Sequence, residues 1–188
     1  MHFLKSLWVS LLVSVFSVTN AWPSDDYQAT IDMFKNAGES GGYFNSSYGY
    51  AVFPTIGKAG IGVGGAYGKG RVYVGGKPVG DTSMTQLSVG FQMGGQAFSQ
   101  IIFFQDERVF KEFSSGNFEF GANAQATSIA ASASASAATT GGTAGASLGR
   151  KNATAGGYHN GMAVFTVAKG GLMYEVSVSG QKFTYTPR

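Results

Sequence analysis

Apolar positions recur along this chain with two periods, and the switch between them marks its elements. Tyr27, Ile31, Phe34 and Ala37 fall three and four residues apart, the spacing of one helix face. Ser24 stands where an N-cap belongs, Asp25 and Asp26 follow where the helix dipole favours acids, and Gly38 suits the C-terminal stop. The pattern predicts a short amphipathic helix over 25–37 whose stripe packs on a sheet. A membrane-surface helix is the other use of such a stripe, but the polar face here is mostly acidic, which opposes anionic lipid. From Gly60 to Gly70 the period becomes two: every even position is Gly or Ala, and the odd ones carry Ile61, Val63, Tyr67 and Lys69, broken by Gly65. That reads as extended chain with one bare face and one dressed face. Glycine weakens strands, so a bare face implies close packing against it, here under a helix.

The remaining patterns fill in a β-rich body. Residues 39–47 read as a Gly/Ser/Asn loop, and 48–53 as a strand stopped by Pro54. Residues 71–75 lead to a turn at Gly75-Gly76-Lys77-Pro78. Leu87, Val89, Phe91 and Met93 alternate with Gln86, Ser88, Gly90 and Gln92, while 101–104 is wholly apolar, as a strand buried on both faces would be. Asp106 caps a second helix over 107–115, with Val109, Phe110 and Phe113 inward and Gly116 after it. Phe118, Phe120, Ala122 and Ala124 resume alternation. Residues 130–146 are Ala/Ser and then Thr/Gly/Ala, which bury little area and predict a thin hairpin or a mobile loop. Residues 162–167 and 172–178 predict a hairpin around Lys169-Gly170-Gly171, and 183–185 a last strand at the edge. The fold class is α+β: a mainly antiparallel sheet or barrel-like body with two or three short amphipathic helices.

The first 21 residues carry Lys5, an apolar run over 7–18 and small residues near Ala21, which read as a cleavable signal peptide too short to span a membrane. The expected location is periplasmic or secreted, with residues 22–188 as one domain. The chain has no cysteine, which excludes a lipid-anchored cysteine, disulfides and thiolate metal sites. Formal net charge is +3, and the cations cluster: Lys58, Lys69, Arg71 and Lys77 face only Asp81 before residue 106.

Motifs for chemistry mostly fail. Gly60-x-Gly62-x-x-Gly65 fits a dinucleotide fingerprint, but that motif needs a helix directly after it, and here glycines and a strand follow. Gly68-Lys69 is followed by Gly70, so no phosphate loop of the Walker type is formed. His159 is the one histidine beyond the leader and sits in a turn without a partner base in its pattern. The acid pairs Asp25/Asp26 and Asp106/Glu107 lie at helix starts, which explains them. No catalytic residue, metal site, cofactor, small-molecule substrate or nucleic-acid partner is expected. The informative set is Lys58, Lys69, Arg71, Tyr73, Lys77 and Lys169: cations interleaved with aromatics, with Lys69, Arg71 and Tyr73 on one strand face. Anionic headgroups favour such residues. The same lysines would also serve as solvated strand-edge charges.

Residues 49–54 (GYAVFP) with 58–70 (KAGIGVGGAYGKG) are similar to the signature of the SYLF lipid-binding domain family. Residues 88–97 (SVGFQMGGQA) with 101–104 (IIFF) resemble its second block, and 168–172 (AKGGL) with Glu175 its closing block. The resemblance implies a compact α+β domain that binds membranes, phosphoinositides in eukaryotic members. It implies actin binding only for some of those members, and none is expected here. Around 130–154 an Ala/Ser tract without proline replaces a Gly-Pro-containing segment. The first function expected is a non-enzymatic module binding anionic lipid. The alternatives are a small outer-membrane β-barrel and an envelope interaction or assembly factor.

Overall fold

Two-residue alternation builds one sheet here, and the two stretches of helical spacing supply helices that cover it. A computed structural model describes residues 24–61, 63–89, 94–129, 157–169 and 177–188. In chain order the elements are α1 (Ser24–Asn36), α2 (Tyr43–Ser46), β1 (Gly49–Ile61), β2 (Val63–Val74), β3 (Lys77–Val89) and β4 (Gly94–Phe104). They continue with α3 (Glu107–Phe113), β5 (Phe118–Glu119), β6 (Thr127–Ile129), β7 (Met162–Lys169) and β8 (Lys182–Pro187). The strands form one sheet in the order β5-β8-β3-β2-β1-β4-β7-β6, antiparallel throughout except for the parallel pair β6–β7. The sheet curls into a half-barrel, and with its three short helices the class is α+β, as the patterning implied.

Alternation along the central strands sends apolar side chains to both faces. On the inner face Ala51, Phe53, Met84, Ile102, Phe104 and Phe183 pack with Val109 and Phe113 of α3. On the outer face Tyr50, Val52, Ile101, Phe103 and Phe165 pack with Tyr27, Ile31 and Phe34 of α1. Ile101, Ile102, Phe103 and Phe104 are all fully buried, the two-sided burial that their run of apolar residues predicts. Apolar packing on both faces is not the apolar-out, polar-in alternation of a membrane barrel. The helix stripe Tyr27, Ile31, Phe34, Ala37 is buried as expected, and Asp106 caps α3 by accepting a 3.0 Å hydrogen bond from the Val109 N–H.

Several expectations need correction. Strand β1 does not stop at Pro54 but continues to Ile61, because its register shifts between Val52 and Thr55 against β2 and between Phe53 and Ile56 against β4. The irregularity takes up the residue that has no N–H to give the ladder. The glycine run is not one strand: the chain reverses between Ile61 and Val63, so that Gly60 lies opposite Gly64. A helix directly after Gly65 is absent, which removes the dinucleotide fingerprint on structural grounds. Nor does a helix cover the bare face of β2. A Cβ on Gly70 would lie 2.6 Å from the Phe53 ring, and one on Gly68 would lie 2.6 Å from Ile56 Cγ1. Side chains of β1 fill that space, and α1 lies on the opposite, dressed face. Residues 43–46 form α2 within the expected loop, where Tyr43 stacks on Phe103 at 5.3 Å and Phe44 meets it edge-on at 4.9 Å. Strand β8 is not at the edge, since β5 pairs beyond it. The turn after β2 is as expected, with Gly75 (φ 58°) and Gly76 (φ 77°) in the left-handed region of a two-residue hairpin loop. The leader, the Ala/Ser tract and residues 172–176 of the strand expected over 172–178 lie outside the described residues, and Ser177 and Val178 are not in a strand.

Candidate functional site

Strand β2 presents its odd positions outward, as the alternation predicts: Tyr67 and Lys69 are exposed while Gly68, Gly70 and Val72 are buried. The six candidate residues nevertheless separate. Arg71 lies beneath α1, with its guanidinium 4.3 Å from the Tyr27 ring centre. Its Nε is 3.5 Å from Asp81 Oδ1 and makes no hydrogen bond, so the contact is one of charge. Arg188 donates a 2.7 Å hydrogen bond from Nε to the other oxygen of Asp81, which raises its already high pKa. One carboxylate therefore engages two guanidinium groups. Tyr73 stacks on Tyr50 at 5.2 Å, and burial, followed by the neighbouring Tyr73 and Asp32, pushes the Tyr50 hydroxyl up to about 12. Burial likewise raises Tyr27, against the lowering effect of Arg71. Lys77 opens β3 beside the Gly75-Gly76 turn, at the far end of the sheet from the other lysines.

Lys58, Lys69 and Lys169 come together at the opposite end. Sheet register sets one continuous row across six strands: Lys182, Thr85, Tyr67, Gly57, Ala97 and Lys169. Lys69 stands in the next outward-facing row, beside Ser83 and Thr55. Lys169 Nζ donates a 2.6 Å hydrogen bond to Thr55 Oγ1. Lys58 pairs with Ala66 and Gln96, one step from the row on the inner face. Lys182 forms a 3.5 Å ion pair with Glu119. At about 4.8 Å per strand, the row from Lys182 to Lys169 spans roughly 24 Å along the curled sheet.

Between α1 and β2, β3 and β8 lies a cleft of about 490 Å³, lined among others by Tyr27, Tyr67, Lys69, Arg71, Asp81 and Arg188. Its three cations outnumber its one acid, but Asp81 already holds both arginines. A second cavity of about 250 Å³ adjoins β5 and exposed His159. No cluster of three metal-ligating side chains occurs among the described residues.

Sequence reasoning missed Tyr27, Asp81, Lys182 and Arg188. A usable signal existed for Asp81. A two-residue turn at Gly75-Gly76 places Arg71 close to Asp81 once one bulged residue is allowed, and the register confirms that pair. Nothing local could announce Tyr27 over Arg71, since that contact depends on which face α1 covers.

No curated protein matches the chain. The family model that does match, over residues 85–187, is Ysc84, described as "Las17-binding protein actin regulator". The match covers more than half of the 188 residues and takes in the end of β3 and all of β4 to β8. The chain belongs to the Ysc84 (SYLF) domain family.

Proposed function

We propose that this protein is a non-enzymatic, exported binding module that docks on anionic membrane surfaces through the lysine-bearing end of its sheet. The observation that carries the reading is that Lys69, Lys169 and Lys182, drawn from three strands, share the outer face with exposed Tyr67, while Lys58 stands on the other face of the same end. Each cation near an anionic bilayer contributes roughly 1 kcal/mol; Lys182 is already paired with Glu119, so the other three contribute about 3 kcal/mol, an affinity of several millimolar. Arg71, Tyr73 and Lys77 are left out of this site: the first two are engaged by Asp81, Tyr27 and Tyr50, and the third lies at the other end. A protein partner is the second reading, favoured by the family's description as Las17-binding.

Co-sedimentation with vesicles tests the proposal. Vesicles containing a third phosphatidylglycerol are expected to bind the protein, and pure phosphatidylcholine vesicles are not. Lys58→Glu with Lys69→Glu is expected to weaken binding to the anionic vesicles at least about tenfold, since it reverses two charges. Equal and negligible binding to both vesicle types would sink the membrane reading.

A further inference from the structure

The lysine-bearing end of the sheet carries more than lysines among the described residues. Leu87 is 86% exposed, Val63 68% and Tyr67 50%. All three face outward on adjoining strands. Leu87 lies directly opposite Gly65, and Val63 and Tyr67 stand two residues to either side of that glycine. Gly65 offers no side chain to cover Leu87. On the other face of the same strand the polar Gln86 is buried, its amide donating to the Ser177 and Ser179 carbonyls at 2.9 and 2.8 Å. The usual polarity of a half-buried strand is inverted here, with leucine in solvent and glutamine inside. Among the described residues β8 pairs with β3 only as far as Thr85, and β7 pairs with β4 only from Ala97. Strands β1 to β4 therefore run on beyond those pairings as a glycine-rich tongue.

We propose that this tongue enters an anionic bilayer edge-on, with Leu87 and Val63 among the acyl chains and the lysine belt at the phosphates. The inference rests on the membrane-docking reading and adds the element that inserts. Spacing supports it. At about 3.3 Å per residue, Leu87 lies roughly 7 Å beyond the row of Tyr67, Lys169 and Lys182, and Val63 roughly 7 Å further. The headgroup layer of one leaflet is about 5–8 Å thick. Lysines at the phosphates thus place Leu87 at the top of the hydrocarbon and Val63 within it. Tyr67 then sits at the interfacial level that suits an amphipathic ring. Among the described residues Glu119 is the acid at this level, and Lys182 pairs with it. A second copy of the chain fits the tongue less well, because tip-to-tip contact would set lysine against lysine.

The chain has no cysteine, so Leu87→Cys and Lys77→Cys each accept one environment-sensitive fluorophore at opposite ends of the sheet. The probes are the full chain and phosphatidylglycerol/phosphatidylcholine vesicles carrying spin-labelled acyl chains. The label at 87 is expected to shift to the blue and to be quenched, while the label at 77 stays unchanged. Leu87→Ser with Val63→Ser is expected to weaken vesicle binding at least about tenfold without altering circular dichroism, because both side chains are exposed. Binding by the unmodified chain with no quenching at 87 and no loss in the serine variant overturns insertion and leaves headgroup docking standing. A concentration-dependent blue shift at 87 without vesicles assigns the tongue to self-association and also overturns it. Failure of the unmodified chain to bind anionic vesicles overturns both proposals.

Discussion

The outer face of strands β2 and β3 has two halves that share a backbone, an alternation and a direction. In one half Arg71 and Tyr73 are covered: Tyr27 lies over the guanidinium, Tyr50 stacks on the phenol ring, and Asp81 holds two arginines. In the other half Tyr67, Leu87 and Val63 stand in solvent among lysines. Helix α1 makes the difference, since its stripe packs with Tyr50 and Phe103 and its Tyr27 covers Arg71, while Leu87 and Val63 stay exposed. A cation-and-aromatic pattern on one strand face therefore has two outcomes. Under a helix it becomes core; beyond the helix it stays exposed. Residue type alone does not choose between them.

Substitutions can break this contrast or sharpen it. The largest effect is expected in the covered half. Phe103 is fully buried and meets Tyr43, Phe44, Tyr50 and Phe165, so Phe103→Ala should cost about 3–5 kcal/mol in urea unfolding. A cost below about 1 kcal/mol would show that α1 and α2 do not seal this half. The second effect is alkaline. Tyr50 holds its proton more tightly folded, with a pKa of about 12, than unfolded, near 10. The neutral hydroxyl's contribution is complete below pH 10 and is lost as pH rises through 12, up to about 3 kcal/mol in all. Unfolding free energy measured from pH 9 to pH 12 should fall steeply, and Tyr50→Phe should flatten the fall. Third, Gly70→Ala drives a Cβ into the buried Phe53 ring and should cost about 1–3 kcal/mol. Gly57→Ala, in the uncovered half, has no atom within 4 Å of its new Cβ and should leave the melting temperature nearly unchanged. Smallest is Leu87→Ser, expected to shift stability by no more than about 0.5 kcal/mol in the same unfolding assay. A large loss there would mean that the tongue is packed and not presented.

The elements were more legible in the sequence than their arrangement. Helical spacing at Tyr27, Ile31 and Phe34, the Asp106 cap, the apolar run over 101–104 and the Gly75-Gly76 turn are local signals, and each appears in the fold. Errors arose where a distant element decides. Pro54 ends a strand only if its missing N–H cannot be bypassed, and a register shift bypasses it. The glycine run looked continuous because a hairpin made of glycines keeps the two-residue period on both arms. Gln86 and Leu87 exchange places because the 177–180 segment supplies carbonyls for the amide, a partner some ninety positions away. The site was partly legible for the same reason. Lys69 and Lys169 could be named from their chemistry, but their convergence with Lys182 required the order of six strands, and the withdrawal of Arg71 required the path of α1.

Hydrogen exchange along β2 and β3, with and without anionic vesicles, compares the two halves of this face in one measurement. The account predicts slower exchange with vesicles at 63–67 and 85–87, with the amides of 71–74 unchanged. Slowing confined to 71–74, or equal slowing of both halves, would contradict it.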